Sequence, residues 1–266
     1  MPHTYACPLR WADMDLLGHV NNVRYLEYAG AAREAMFDGL PVGRARVRQH
    51  RVEFVAPLVY RRTPVHVASW VTAVEDDRVS LAHEVYDETD ARRTVHLRVS
   101  SVLEHRLDGR ERELAEGLLA ADHEWRPVDE EVRAPRDVYR VHLRRGDLDE
   151  HGHVRDVLLL ELLQEARIQY LMNLHTRGQA WTHHVVARTD VRYHRPIAYR
   201  AAPYEVRSWI GHLGTSSFTI RAEVRDGEAL LADASVVMVT FDKETQRPAP
   251  MAPTQRERLA QELARA

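Results

Sequence analysis

Apolar residues between positions 22 and 38 recur at helical spacing. Tyr25, Tyr28-Ala29, Ala32 and Ala35-Met36 share one face, which predicts a helix from about Asn22 to Asp38. A second stretch, Val157 to Asn173, is apolar on more than one face, as expected of a helix enclosed by other structure. Asn22 and Asp156 stand where the two helices should start, and both residue types cap free backbone N–H groups. A short strand should precede each helix, about Tyr5 to Trp11 and Val138 to Arg144, with a Gly-containing loop between. Further strands are predicted at Val65 to Val74, Val79 to Tyr86 and Val95 to Leu103, and again at Tyr204 to Leu213, Phe218 to Val224 and Leu230 to Phe241. Phe218-Thr219-Ile220-Arg221-Ala222-Glu223-Val224 alternates as a half-exposed antiparallel strand does. A long helix followed by an antiparallel meander implies an α+β domain whose sheet wraps the helix. The charged segment from Asp108 to Asp137 reads as a short helix, Glu111 to Ala121, and then a linker with Pro127 and Pro135. An amphipathic end, Gln255 to Ala266, closes the chain.

The two halves share more than a plan. Arg10-Trp11-Ala12-Asp13-Met14-Asp15-Leu16-Leu17-Gly18-His19-Val20 returns as Arg144-Arg145-Gly146-Asp147-Leu148-Asp149-Glu150-His151-Gly152-His153-Val154, with Asp13, Asp15, Gly18, His19 and Val20 recurring at a constant offset of 134. The match runs on through Glu27 and Glu161 to Ala32-Arg33 and Ala166-Arg167. Later pairs, among them Pro57 with Pro196, Arg61 with Arg200 and Trp70 with Trp209, lie 139 apart. The second copy therefore carries an insertion, placed at about His175 to His183. Two domains follow, residues 1–126 and 136–266.

A net charge of −3 over 266 residues gives no electrostatic footprint for nucleic acid or an anionic membrane. Lys243 is the only lysine. Cys7 is alone, which excludes an internal disulfide and suits a reducing compartment; it reads as a small apolar filler. The N-terminus shows no charged-then-apolar signal segment. The longest apolar run, Val157 to Leu163, is broken by Glu161 and too short to span a bilayer. A soluble, cytoplasmic protein is expected.

The repeated motif sets a carboxylate four residues before a histidine, on a glycine turn that feeds a helix. A helix start offers unpaired N–H groups and partial positive charge, which would polarise a docked carbonyl and stabilise an oxyanion. Asp15 would attack that carbonyl or activate water, and His19 would orient the carboxylate or the substrate. Asn21 and Asn22 add amide donors and acceptors. Asp149 and His153 are the second copy's equivalents. Asp13 and Asp147 read as structural.

The run from Trp11 to Tyr28 resembles the hot-dog-fold thioesterases, both the 4-hydroxybenzoyl-CoA thioesterase-like hydrolases and the acyl-acyl-carrier-protein thioesterases. The resemblance recurs in each half and covers most of the chain. It implies tandem hot-dog domains paired side by side, and hydrolysis of acyl-CoA or an acyl-carrier-protein ester to free acid and thiol. No cofactor is implied beyond the coenzyme A of the substrate. The resemblance places the catalytic carboxylate at Asp15 and Asp149 and, in the carrier-protein type, the histidine at His19. Tyr25 joins Asn21 and Asn22 as a substrate-binding candidate. Ser216, in the turn Gly214-Thr215-Ser216-Ser217, resembles the small polar turn that lies near coenzyme A in this family; an ordinary hairpin turn fits it as well. Tyr25, Tyr28, Trp70 and Trp209 are of types more often core than acyl-pocket lining, and spacing cannot separate the two. No nucleic-acid or membrane partner is expected, and a homodimer of the tandem unit is left open.

Copy one is the better-preserved site. Copy two has Arg155-Asp156 in place of Asn21-Asn22 and Leu158 in place of Arg24. The carrier-protein enzymes have a further asparagine where this chain has Leu17 and His151. A calcium loop fails, because Leu17 and Arg24 occupy ligand positions. A metal site built on His142, Asp147, Asp149, His151 and His153 finds no match for His142 or His151 in copy one, and no metal is expected. A Gly-x-Ser-x-Gly elbow and a phosphate-cradling glycine loop are both missing. Hydration of an enoyl thioester and non-catalytic acyl-CoA binding remain as alternatives.

Overall fold

The computed structural model describes residues 2–15, 18–89, 92–126, 137–175, 182–242, 244–245 and 247–264. Leu17, Lys243, most of the expected linker and most of the expected insertion lie outside the described residues. The chain divides into two compact units, Met1–Trp125 and Arg126–Ala266.

The first unit runs β1 (His3–Cys7), α1 (Arg24–Met36), β2 (Arg46–Phe54), β3 (Val65–Val74), β4 (Arg78–Thr89), β5 (Arg92–Glu104) and α2 (Gly109–Gly117). The second runs β6 (Asp137–Val141), α3 (Asp156–Leu174), β7 (His184–Tyr193), β8 (Tyr204–Leu213), β9 (Ser217–Asp226), β10 (Ala229–Asp242), β11 (Arg247–Pro248) and α4 (Pro253–Ala264). Strands pair antiparallel in the order β1-β3-β4-β5-β2 in the first unit and β6-β8-β9-β10-β7 in the second, with β11 on β10. The long helix packs on its own sheet: α1 on β1, β3 and β4, and α3 on β6 and β8.

Alternation builds each core. Val79, Leu81, His83 and Val85 of β4 point inward and are buried, beside Val67 and Val71 of β3 and Leu97 and Val99 of β5. Ala32 and Phe37 supply the helix side. β3 is buried on both faces near Ala68–Val71, because the chain after α2 lies along it. Val71 N donates to Leu118 O, Ala120 N to Val71 O, and Trp70 Nε1 to Ala121 O at 2.9 Å.

The element boundaries correct several expectations. α2 starts at Gly109, two residues early, because Asp108 and Glu111 form a reciprocal cap: Glu111 N donates to Asp108 Oδ1 (2.8 Å) and Asp108 N to Glu111 Oε2 (3.0 Å). α1 starts at Arg24 and not at Asn22. Asn21 turns the chain first, its Oδ1 accepting from Val23 N at 3.0 Å and its carbonyl from Arg24 N at 2.9 Å. Asp156 is the first residue of α3 and not its cap; its Oδ1 accepts from Val157 N at 2.9 Å. α3 is not wholly enclosed within its unit, since Ile168 and Met172 are exposed.

Candidate active site

After β1 the chain makes one tight turn, Trp11–Asp13, and then doubles back as a short bend. Asp13 is buried and fixes the bend at both ends. Its Oδ2 accepts from Arg10 N (2.8 Å) and from the Tyr28 hydroxyl on α1 (2.7 Å), and its carbonyl accepts from Asn21 N (2.8 Å). Burial, together with the neighbouring carboxylate, pushes the Tyr28 phenol far above its usual range. Cys7 is likewise pushed up to about 11, by burial and then by Asp13, against a smaller opposing effect of Arg10. Its thiol is a poor nucleophile, which agrees with its reading as filler.

Asp15 lies at the mouth of the bend. Its amide donates to His19 O at 2.7 Å, its carbonyl accepts from Gly18 N at 3.1 Å, and its Oδ1 accepts from His19 N at 3.2 Å. Gly18 makes the reversal possible with φ +77°, a region that a Cβ disfavours. The segment behind the bend completes the frame: Val20 N donates to Leu58 O at 2.8 Å, and His19 pairs with Val59. Asp15 is half-buried, so its carboxylate is held yet reachable. Tyr25, in the first turn of α1, is buried and feels the charge of Asp15. Burial raises the Tyr25 phenol above its ordinary value, a hydrogen bond from the Leu58 backbone works against this, and the Asp15 charge adds to the rise. The net rise favours the protonated phenol.

Thus the structure brings Asp15, His19, Asn21 and Tyr25 together at the start of α1. His19 contributes its main chain to fixing Asp15. Asn21 Oδ1 takes Val23 N, its carbonyl takes Arg24 N, and Leu26 N donates to Val23 O, so three of the early amides expected for substrate are already engaged. Asn22 follows directly, half-buried. Three features carry no signature in the motif itself: the Tyr28–Asp13 bond, the Leu58 carbonyl, and the strand residues that hold Leu58.

The second bend repeats the first. Asp149 N donates to His153 O (2.7 Å), and Asp149 Oδ1 accepts from His151 N (2.8 Å) and His153 N (2.9 Å). Gly152 has φ +78°, Val154 N donates to Ile197 O (2.8 Å), and His153 pairs with Ala198. Around it the chemistry differs. Leu159 and Leu162 stand where the first unit has Tyr25 and Tyr28. A buried phenol comes instead from β7: Tyr193, at the place of Phe54, donates to the Asp156 carbonyl at 3.2 Å. Ser216 lies in the β8–β9 turn, where its carbonyl accepts from Thr240 N (2.8 Å) and Thr240 Oγ1 (3.0 Å), tying the hairpin to β10. Among the described residues no group of three or more His, Cys, Asp or Glu side chains could hold a metal ion. Among them, too, no helix is long and apolar enough to cross a membrane.

The model of the thioesterase-like superfamily matches residues 9–127 and again residues 143–259. The chain belongs to that superfamily. Solved structures agree on the fold. One is a putative oleoyl thioesterase from Lactobacillus plantarum: 12% identity, 91% of this chain and 98% of that one covered, TM-score 0.71. Another is the 12:0-ACP thioesterase from Umbellularia californica: 11% identity, 91% and 94% covered, TM-score 0.66. A third is an acyl-ACP thioesterase from Bacteroides thetaiotaomicron VPI-5482: 14% identity, 88% and 96% covered, TM-score 0.60. No curated protein matches the chain in sequence. The chain is α+β and consists of two tandem hot-dog domains.

Proposed function

We propose that this protein hydrolyses an acyl thioester, with acyl-CoA as the substrate class, and that the first unit does the chemistry. The thioester carbonyl docks at the start of α1, where the helix dipole favours the developing oxyanion. Asp15 either takes a proton from the attacking water or adds to the carbonyl carbon itself. On the water route the C–S bond then breaks and the thiolate leaves with the proton that Asp15 took, giving free acid and thiol; on the other, addition of Asp15 expels the thiolate, which takes a proton from solvent, and leaves an acyl–Asp15 anhydride. In the direct route water next cleaves the acyl–Asp15 anhydride. The Tyr25 hydroxyl, on the first turn of the same helix, orients the carbonyl or the water.

One observation carries this reading. A half-buried carboxylate is fixed by its own bend at a helix N-terminus, and its charge reaches the buried Tyr25 phenol, in a chain of the thioesterase-like superfamily. Leu159 and Leu162 favour a second unit that binds or packs without turnover. Thiol release from a panel of acyl-CoAs and acyl-carrier-protein esters tests both points. Asp15→Asn is expected to lose activity by about 100-fold or more, the range of a positioned base, while Asp149→Asn stays within about 3-fold of wild type. Equal losses would end the assignment to the first unit. No thiol release from any ester, or loss of an enoyl-CoA double bond without thiol, would end the hydrolase reading.

A further inference from the structure

Asp15 is held by a bend, and the bend is held from behind by residues 55–59. His96 of β5 fastens that segment. Its carbonyl accepts from Val55 N at 2.9 Å and Ala56 N at 3.3 Å. Its ring Nδ1 lies 3.1 Å from Pro57 O and 3.4 Å from Ala56 O, and its Nε2 lies 2.9 Å from Asp87 Oδ2. Both ring nitrogens therefore face acceptors. The same Asp87 oxygen takes Arg61 Nη1 at 2.5 Å. Burial opposes ionisation of Asp87, but the hydrogen bonds and charges of His96 and Arg61 outweigh it and hold the carboxyl below its ordinary value. The His96 side chain is almost fully buried, so its bonds are shielded from water.

The second unit supplies a natural comparison. Leu231 O accepts from His194 N (2.8 Å) and Arg195 N (3.1 Å), which makes Leu231 the counterpart of His96. Arg200–Asp226, at 2.5 Å, repeats the Arg61–Asp87 pair. There the segment is tied differently: the Tyr204 hydroxyl donates to Ala198 O at 2.8 Å, with Arg200 stacked over the Tyr204 ring. Val65 fills the place of Tyr204 in the first unit. The unit that carries Tyr25 in the first turn of its helix is the one braced through a histidine.

We propose that His96 is a positioning residue for the first unit's reaction: through Pro57, Leu58 and Val59 it sets the register of the bend that aims Asp15. The catalytic half of this statement rests on the function proposed above; the bracing half does not. Two readouts on the full chain separate them. Hydrogen exchange by mass spectrometry follows peptides covering Gly18 to Val23, with Gly152 to Val157 as internal reference. Steady-state thiol release gives kcat and KM. His96→Leu installs the second unit's residue. It should speed exchange of the first peptide by about 10-fold, leave the reference unchanged, and lower kcat by about 10-fold with KM nearly constant, as displacement of a catalytic group requires. His96→Asn keeps a donor at the Nδ1 position and should recover part of both losses. It also serves as the test should His96→Leu not fold. Unchanged exchange in the substituted protein overturns the proposal, and so does faster exchange with full kcat. If the wild type cleaves no thioester, the functional reading falls while the exchange data still decide the brace.

Discussion

Tyr28 joins the bend to the helix. Its hydroxyl donates to Asp13 Oδ2 with both residues buried, and Asp13 in turn holds Arg10 N and Asn21 N. Removing the hydroxyl leaves a buried carboxylate short of a charge-assisted bond, a loss of about 1.5–3 kcal/mol. Tyr28→Phe should therefore lower the unfolding free energy by that amount, seen as a urea midpoint reduced by the loss divided by an unchanged slope. Thiol release should fall further than stability explains, because the lost bond lies two residues from Asp15. The sequence shows only part of this. Asp13 recurs in both copies, and its structural reading agrees with the bonds it makes. Tyr28 does not recur, and helical spacing alone cannot tell a core phenol from one that anchors an acid. The Leu58 carbonyl and the His96 brace are less visible still, since a backbone acceptor leaves no trace in residue type, and His96 lies on a strand far along the chain from the motif.

Among the elements, the period-two strands were legible wherever their inward residues are apolar, as in β3, β8 and β9. β2 and β7 do not stand out. Their outer faces are crowded with Arg, Glu and Asp, and a register shift between Val47 and Gln49 breaks the period of β2. Periodicity also says nothing of what replaces a hydrophobe. Two Ser–His pairs cross the inner face of the first sheet: Ser69 Oγ with His83 Nδ1 at 2.8 Å, and His50 Nδ1 with Ser101 Oγ at 2.9 Å. Burial lowers His83 to about 3, helped by the charges of Arg33, His50 and His123. An unfolded histidine titrates near 6.5, so below that pH the unfolded chain binds a proton that the folded chain refuses. This contribution to stability is complete above about pH 6.5 and is lost as pH falls toward the folded value. Melting temperatures should drop on acidification from about pH 7 to about pH 5. His83→Ala, the residue the second unit carries as Ala222, should be less stable at neutral pH but lose less on acidification. His184, also lowered by burial, leaves some slope behind. Equal slopes in the two proteins would show that His83 does not bear the effect.

At the scale of the whole chain, duplication has preserved geometry and let chemistry diverge. Both bends close on the same bonds, with Asp15 N to His19 O and Asp149 N to His153 O each at 2.7 Å. That equality is why a constant offset in the sequence exposed the architecture so directly. Three polar positions in the first unit are leucine in the second: Tyr25 against Leu159, Tyr28 against Leu162 and His96 against Leu231. Each change replaces a hydrogen-bonding side chain with leucine, and the second unit holds its helix start and the segment behind its bend through Tyr193 and Tyr204 instead. A thioether analogue of acyl-CoA, which cannot be cleaved, should then bind tightly at a single place per chain in calorimetry. Asp149→Asn should leave that isotherm unchanged, and Tyr25→Leu, which copies the second unit into the first, should weaken it. Two tight sites of equal affinity, both insensitive to Tyr25→Leu, would mean that the phenol does not distinguish the halves and that the second unit still works as a binding site.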